Sequence, residues 1–216
     1  NFVLLGQSWG GLLAMEYAVH HQDALKGLVI SNMMSSCPAY NAYARDVLMP
    51  QIDPAVLATI QDLEATGRTE DPRYEALLFE HHYRHHVCRM PPEAWPEPVV
   101  RSFTHLNKDV YVPMQGPSEL GLSGSLEQWD RSAELPGITV PTLVIGATYD
   151  TMDPAHMRWM AEQLPRGTYL HCPDGSHLTQ FDDPQHYFPG LLDFLQGLER
   201  PRDHHLLTRA EDTHSI

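Results

Sequence analysis

Apolar residues at the start of the chain form two short runs with an amphipathic stretch between them. Residues 2–5, Phe-Val-Leu-Leu, predict a short buried strand, and residues 26–31 predict a second one. The stretch 12–19 between them predicts a helix. A strand, a helix and a strand at this spacing predict a βαβ unit, in which two parallel strands are joined by a right-handed crossover.

The same alternation of apolar runs and amphipathic stretches returns near the end of the chain. Residues 141–146 predict a strand, and residues 154–163 predict the helix that follows it. Residues 168–172 predict a last strand, and residues 184–198 predict a closing helix. The remainder, residues 199–216, is polar and weakly patterned, and we expect it to form a mobile tail.

The middle of the chain, residues 33–136, has a different pattern, without strand alternation or internal repeats. Prolines and helix-capping residues predict three helices, at residues 53–66, 72–86 and 96–107. A helical insert between two parts of a sheet is typical of a cap over an active site. We therefore predict an α/β protein whose core has two parts and whose middle is a helical cap: residues 1–32 and 137–198 for the core, and residues 33–136 for the cap.

A Gly-x-Ser-x-Gly motif, Gly6 to Gly10, lies between the first predicted strand and its helix. A strand, a tight turn with a serine at its tip and a helix form the context of a nucleophile elbow. Side chains at Gly6 and Gly10 are expected to collide where the strand and the helix approach each other. Ser8 is therefore the candidate nucleophile. The backbone N–H of Trp9 is the candidate donor to an oxyanion.

A nucleophilic serine needs a base, and that base needs an acid to orient it. In a nucleophile-elbow fold the acid follows a late strand and the histidine follows the last strand. Asp150 lies four residues after the predicted strand 141–146, and His177 lies in the Gly-Ser-His loop after the last strand. Asp150 and His177 are the candidate acid and base. Asp153, directly before Pro154, is expected to cap a helix.

Composition limits the classes of molecule that the protein is expected to bind. The chain has 216 residues, 42% of them hydrophobic, and a formal net charge of -14. This charge argues against nucleic acids and anionic membranes as partners and favours small cationic substrates. The three cysteines do not form a disulfide framework, which predicts a reducing, cytoplasmic compartment. The oligomeric state stays open.

Four histidines on the predicted helix 72–86 are spaced like metal ligands. His81 with His85, and His82 with His86, are four residues apart, and Cys88 follows. Such pairs can bind zinc, but no carboxylate motif and no further pair of ligands elsewhere in the sequence accompanies them. A helix face with incidental histidines is the favoured interpretation, so neither a metal nor another cofactor is predicted.

Several motifs together resemble the proline iminopeptidase family of α/β-hydrolases. They are Gly-Gln-Ser-Trp-Gly-Gly at 6–11, Met-Gln-Gly-Pro-Ser-Glu at 114–119, Trp129-Asp130, Tyr149-Asp150, Gly-Ser-His at 175–177 and Phe-Asp-Asp at 181–183. The resemblance implies a serine aminopeptidase that releases an N-terminal residue, typically proline, from peptides or amino-acid amides. It also implies that Glu119 binds the free α-amine of the substrate.

The sequence departs from this family at two places. Some members have a second amine-binding glutamate directly after the catalytic aspartate, where this chain has Thr151, and Asp153 is a weak substitute. The His-Gly-Gly-Pro-Gly oxyanion segment that precedes the elbow in the family is absent. The elbow follows Asn1 almost at once, so we expect the C-terminal portion of an α/β-hydrolase. Two alternatives stay open: an esterase or amidase of other specificity, and an inactive fragment without the oxyanion loop.

Overall fold

Four parallel strands form one sheet, and their order in the sheet follows their order in the chain. The protein is represented by a computed structural model, which describes residues 1–199, so the predicted tail lies outside the described residues except for Glu199. The strands are β1 (Phe2–Gln7), β2 (Leu25–Ser31), β3 (Thr142–Ala147) and β4 (Gly167–Cys172). All four lie where the apolar runs predicted them.

Ten α-helices accompany the sheet in the described residues, and they begin and end as follows: α1 (Trp9–His21), α2 (Cys37–Tyr43), α3 (Pro54–Ala65), α4 (Pro72–Leu78), α5 (Arg84–His86), α6 (Glu97–Thr104), α7 (Lys108–Gln115), α8 (Pro154–Gln163), α9 (Thr179–Asp182) and α10 (Pro184–Glu199). A π-helical turn, Phe79–Tyr83, joins α4 to α5, so the predicted helix 72–86 is one continuous helical segment. Residues 33–136 contain helices and loops and no strand.

Successive side chains of the strands alternate between two apolar layers. Leu28 and Ile30 of β2 belong to a large core that includes buried residues of α1 and α8 and of the helical middle of the chain. Val29, between them, belongs to a smaller core with Ile145 of β3 and Tyr187 of α10. The sheet is therefore covered on both faces, as parallel sheets are.

Strand β1 differs from the expectation of a buried strand. Phe2 and Leu5 are 46% and 44% exposed. The apolar composition of the run predicted burial, but in the described residues β1 pairs only with β2 and forms one edge of the sheet. An edge strand has fewer neighbours to cover its side chains, which explains the difference.

The two ends of the helical middle meet beside α1. The N–H of Cys37 donates to the carbonyl of Trp129 at 2.8 Å, and the Ser36 hydroxyl donates to the Asp130 carboxylate at 2.8 Å. Glu16 of α1 accepts hydrogen bonds from the Trp129 indole at 2.6 Å and from Arg131 at 2.7 Å. Trp129 and Arg131 thus connect the end of the helical middle to α1, and Asp130 connects that end to its beginning at Ser36.

Candidate active site

Strand β1 leads directly into a strained turn at Ser8. The backbone of Ser8 has φ 55° and ψ -128°, a conformation that residues with a Cβ rarely adopt. Gly6 permits this turn, because a Cβ there would lie 2.0 Å from the carbonyl oxygen of Gly10. The expected role of Gly10 was wrong, since a Cβ at Gly10 would meet no atom within 4 Å. The second glycine of the elbow that has no room for a side chain is Gly11, because a Cβ there would lie 2.7 Å from Cβ of Met33.

Three predicted residues form one chain of hydrogen bonds. The Ser8 Oγ lies 2.8 Å from Nε2 of His177, and Nδ1 of His177 lies 2.8 Å from Oδ1 of Asp150. Because a carboxylate only accepts, Nδ1 carries the proton and Nε2 is free to accept the serine proton. This is the geometry in which a histidine can act as a general base toward a serine.

The elements of the sheet bring these three residues together. Ser8 follows β1, Asp150 follows β3, and His177 follows β4. The carboxyl ends of parallel strands lie at one edge of the sheet, so residues far apart in sequence meet there. The Gln7 side chain also donates to the carbonyl of His177 at 2.9 Å, which joins the elbow to the histidine loop.

The candidate acid is completely buried and well supplied with donors. Oδ2 of Asp150 accepts from the side-chain amide of Asn32 at 2.6 Å, and Oδ1 accepts from the N–H of Met152 at 3.1 Å. The Thr151 hydroxyl lies 3.4 Å from Oδ1 of Asp150 and 3.1 Å from Nδ1 of His177. These contacts fix the carboxylate in the orientation that faces the imidazole.

Two opposing effects act on the candidate base. Burial by itself lowers the pKa of His177, whose side chain is almost inaccessible to water. The negative charge of Asp150 and the hydrogen bond to it act in the other direction and outweigh burial, so the pKa of His177 is raised above its usual value. Asp150 therefore makes His177 a stronger proton acceptor than an isolated imidazole.

Trp9 is the first residue of α1, directly after Ser8. The first N–H groups of a helix have no acceptor within that helix, and the positive end of the helix dipole lies at the same place. The Trp9 N–H is therefore available for a developing negative charge next to Ser8 Oγ.

A cavity of about 390 Å³ connects the elbow to the helical middle of the chain. Ser8 and His177 lie at one side of it, and Glu119 also lines it. Most of the other lining side chains are apolar or aromatic, among them Tyr74, Leu78, Tyr83, Val87, Phe103, Leu106, Tyr111, Val112 and Leu178. A substrate in this cavity therefore meets the serine–histidine pair and a largely apolar wall that also carries three glutamates, Glu70, Glu75 and Glu119, and Lys108.

The backbone and the side chain of Glu119 are both held in place. Its carbonyl accepts from the Tyr40 hydroxyl at 2.7 Å and lies 3.1 Å from Nε2 of His82, and its N–H donates to the Tyr83 hydroxyl at 3.3 Å. Its Oε1 accepts from the Tyr111 hydroxyl. Burial and the charge of Glu119 raise the pKa of Tyr111, so the phenol stays protonated and donates.

Two further predictions concerned Asp153 and Thr151. Asp153 caps α8, since its carboxylate accepts from the N–H of Ala155 at 2.8 Å, and it does not line the cavity. It is therefore not a second carboxylate for a substrate amine. The Thr151 hydroxyl contacts His177 beside its hydrogen bond with Asp150, and Thr151 does not line the cavity.

The histidine-rich helix has no grouping of metal ligands in the structure. In residues 1–199, the only three potential ligand side chains whose donor atoms lie within 4.8 Å of one another are Asp174 and Asp183, which lie between β4 and α10, and His186 of α10. Nε2 of His82 and Nδ1 of His86 instead face backbone carbonyls, those of Glu119 and Tyr149.

In residues 1–199, no helix combines the length and the apolar character that a membrane crossing needs.

Sequence reasoning missed Asn32, the residue directly after β2. It is fully buried, has φ 52°, and donates to Asp150. Its position offered a signal, because an asparagine at the carboxyl end of a strand is well placed for a site and tolerates a positive φ. The histidines of the helix 72–86 were noted, but the distant carbonyls they contact leave no pattern in the sequence.

Comparison with known proteins agrees with the motifs. A proline iminopeptidase from Chitinophaga pinensis is 47% identical over 196 residues, which are 91% of this chain and 66% of that protein. The crystal structure of VinJ has a TM-score of 0.84 at 31% identity, over 91% of this chain and 66% of VinJ. The structure of a proline iminopeptidase from Mycobacterium smegmatis has a TM-score of 0.78 at 31% identity, over 91% of this chain and 65% of that one.

The chain thus spans slightly less than two thirds of the length of the curated relatives it matches. The resemblance to proline iminopeptidases is confirmed by these relatives, and the predicted α/β fold class is confirmed by the parallel sheet and the structural neighbours. A model of the alpha/beta hydrolase fold matches residues 1–184. The chain belongs to the alpha/beta hydrolase fold family.

Proposed function

We propose that the protein is a serine aminopeptidase that releases an N-terminal amino acid, with proline preferred, from peptides or amino-acid amides. The observation that carries this proposal is the hydrogen-bonded series Ser8–His177–Asp150, with both distances at 2.8 Å, in a cavity that also contains the carboxylate of Glu119. Relatives 47% and 48% identical to this chain are proline iminopeptidases, which supports the substrate class.

The reaction has two steps with one acyl-enzyme between them. Ser8 Oγ attacks the carbonyl carbon of the first residue while Nε2 of His177 takes the serine proton, and the oxyanion receives the N–H of Trp9. His177 then gives the proton to the leaving amine, the C–N bond breaks, and Asp150 stabilises the imidazolium throughout. A water molecule, deprotonated by His177, attacks the acyl carbon, the C–Oγ bond breaks, and His177 returns the proton to Ser8 Oγ, which releases the amino acid.

Glu119 provides the selection for a free amine. A carboxylate in a partly closed, largely apolar cavity attracts an ammonium group more strongly than one in water does. In the proposed complex, the α-amine of the first residue lies at Glu119 and the carbonyl carbon of the same residue lies at Ser8 Oγ. This arrangement selects N-terminal residues by distance as well as by charge.

The test is a substrate panel with the full-length gene product. Proline and alanine p-nitroanilides are compared with their N-acetylated forms and with neutral p-nitrophenyl esters. We expect a strong preference for the free amine, and we expect Ser8→Ala to abolish turnover. Glu119→Gln should lower kcat/KM for the free amines roughly 30- to 1000-fold, which corresponds to about 2–4 kcal/mol for a partly buried charge pair.

The control for the charge change is Glu127→Gln, because Glu127 is an exposed glutamate outside the cavity. It should leave kcat/KM for the free amines unaltered. Equal turnover of free and blocked substrates, with no effect of Glu119→Gln, would contradict the aminopeptidase proposal and favour an esterase or amidase of other specificity. Turnover that survives Ser8→Ala would contradict the mechanism itself.

A further inference from the structure

The continuous helical segment Pro72–His86 contacts Glu119 and the loops that carry the acid and the base. It contains the π-helical turn Phe79–Tyr83, a form of helix that is rare and frequent at functional sites. The wider turn directs two consecutive side chains, His82 and Tyr83, toward the backbone of Glu119. One turn later, His86 reaches the loops of the acid and the base.

The contact of His82 identifies its tautomer. Its Nε2 lies 3.1 Å from the carbonyl oxygen of Glu119. A carbonyl oxygen only accepts, so Nε2 carries the proton and Nδ1 does not. The Nδ1 atom is buried and has no partner in the described residues, and burial, followed by the nearby His86, lowers the pKa of His82 to about 3. His82 therefore remains neutral, as a fixed donor to Glu119.

His86 has the opposite tautomer for the same reason. Its Nδ1 lies 2.9 Å from the carbonyl oxygen of Tyr149, so the proton is on Nδ1. Tyr149 directly precedes Asp150. The backbone carbonyl of His86 accepts from the N–H of His177 at 2.9 Å, and burial lowers the pKa of the His86 imidazole. This residue therefore connects the acid loop to the base loop as a neutral group.

We propose that His82 and His86 are positioning residues that hold the amine-binding carboxylate and the catalytic loops at a fixed separation. His82 places Glu119, His86 places Asp150 and His177, and the helical segment between them fixes the distance. The inference rests on the proposed function, since it assigns the spacing that a free-amine substrate needs.

The two histidines act on different kinetic parameters. Loss of the donor at His82 leaves the backbone of Glu119 held only by Tyr40 and Tyr83 and weakens binding of the substrate amine, so the effect appears mainly in KM. Loss of the donor at His86 loosens the loops of the acid and the base, so the effect appears mainly in kcat. One neutral hydrogen bond corresponds to a change of about tenfold in either case.

Amide side chains provide a matched test. Glutamine places its NH₂ near the position of Nε2 of histidine, and asparagine places it near Nδ1. In the full-length gene product, we expect His82→Asn to raise KM for proline p-nitroanilide about tenfold and His82→Gln to restore most of the loss. At the second position the pattern reverses, since His86→Gln should lower kcat about tenfold and His86→Asn should restore it.

Equal defects in both variants at either position would overturn the inference, because the two amides differ in where they place the donor. The tautomers provide a readout independent of activity. In a ¹⁵N NMR spectrum of the histidine-labelled protein, we expect Nε2 of His82 and Nδ1 of His86 to be the protonated atoms. The reverse assignment, or exchange between tautomers, would contradict the inference. A wild-type protein without free-amine preference would refute the proposed function, and the NMR result would still decide the tautomers.

Discussion

The amide of Asn32 offers the sharpest prediction on the architecture of the site. Its Nδ2 faces three acceptors, which are Oδ2 of Asp150 at 2.6 Å, Oγ1 of Thr179 at 3.0 Å and the carbonyl of Ser176 at 3.2 Å. The amide has two hydrogens, so it satisfies two of these contacts well at one time. Asn32→Gly removes the amide and retains a residue that tolerates the φ of 52°.

The expected cost follows from these contacts. A hydrogen bond to a buried carboxylate contributes about 1.5–3 kcal/mol, and a neutral one contributes about 1 kcal/mol. Asn32→Gly should therefore lower the free energy of unfolding by about 3 kcal/mol. Asn32→Ala should cost about 1 kcal/mol more, because alanine is strained at a positive φ. Without its donor, the carboxylate of Asp150 can turn away from His177, so kcat should fall roughly tenfold to hundredfold.

Urea unfolding followed by circular dichroism measures the first effect, and turnover of proline p-nitroanilide measures the second. The control is Asn107→Gly, because Asn107 is an exposed asparagine that caps α7 and should cost only a few tenths of a kcal/mol. Wild-type stability together with wild-type kcat in Asn32→Gly would refute the assigned role. A loss of stability of the same size in Asn107→Gly would show that the effect is not specific to the site.

Three further predictions concern the elbow and the base. Because Ser8 has a positive φ, Ser8→Gly should be more stable than Ser8→Ala by about 1 kcal/mol in thermal unfolding, and equal stability would argue against strain at this residue. Gly6→Ala should destabilise the fold by several kcal/mol, since its Cβ would lie 2.0 Å from a carbonyl oxygen, whereas Gly10→Ala should be tolerated or gain up to about 1 kcal/mol of helix propensity. Because Asp150 raises the pKa of His177 and the base must be neutral, kcat/KM should fall as the pH drops through a value above 6.5, and a midpoint below 6.5 would contradict this assignment.

The sequence predicted the sheet well because its strands are apolar runs separated by clear turn residues. Ser8, Asp150 and His177 could be placed from sequence alone, since each follows a strand and their order along the chain is typical of an elbow fold. The structure brings all three within hydrogen-bonding distance.

What the sequence did not reveal depends on contacts between distant residues. Asn32 donates to a carboxylate 118 residues away, and His86 donates to a carbonyl 63 residues away. Hydrogen bonds between residues so far apart leave no periodic pattern in the sequence and require no particular neighbouring residue. The exposure of Leu5 and the free space at Gly10 have the same origin, because both depend on which elements pack against β1 and α1.

Active-site labelling tests the central claim most directly. A fluorophosphonate reacts with a serine only where a base activates it and a nearby donor stabilises the oxyanion. Mass spectrometry of the labelled, digested full-length protein should place one adduct on the peptide that contains Ser8, and both Ser8→Ala and His177→Ala should lack it. An unlabelled Ser8, or an adduct that persists in either variant, would contradict the account.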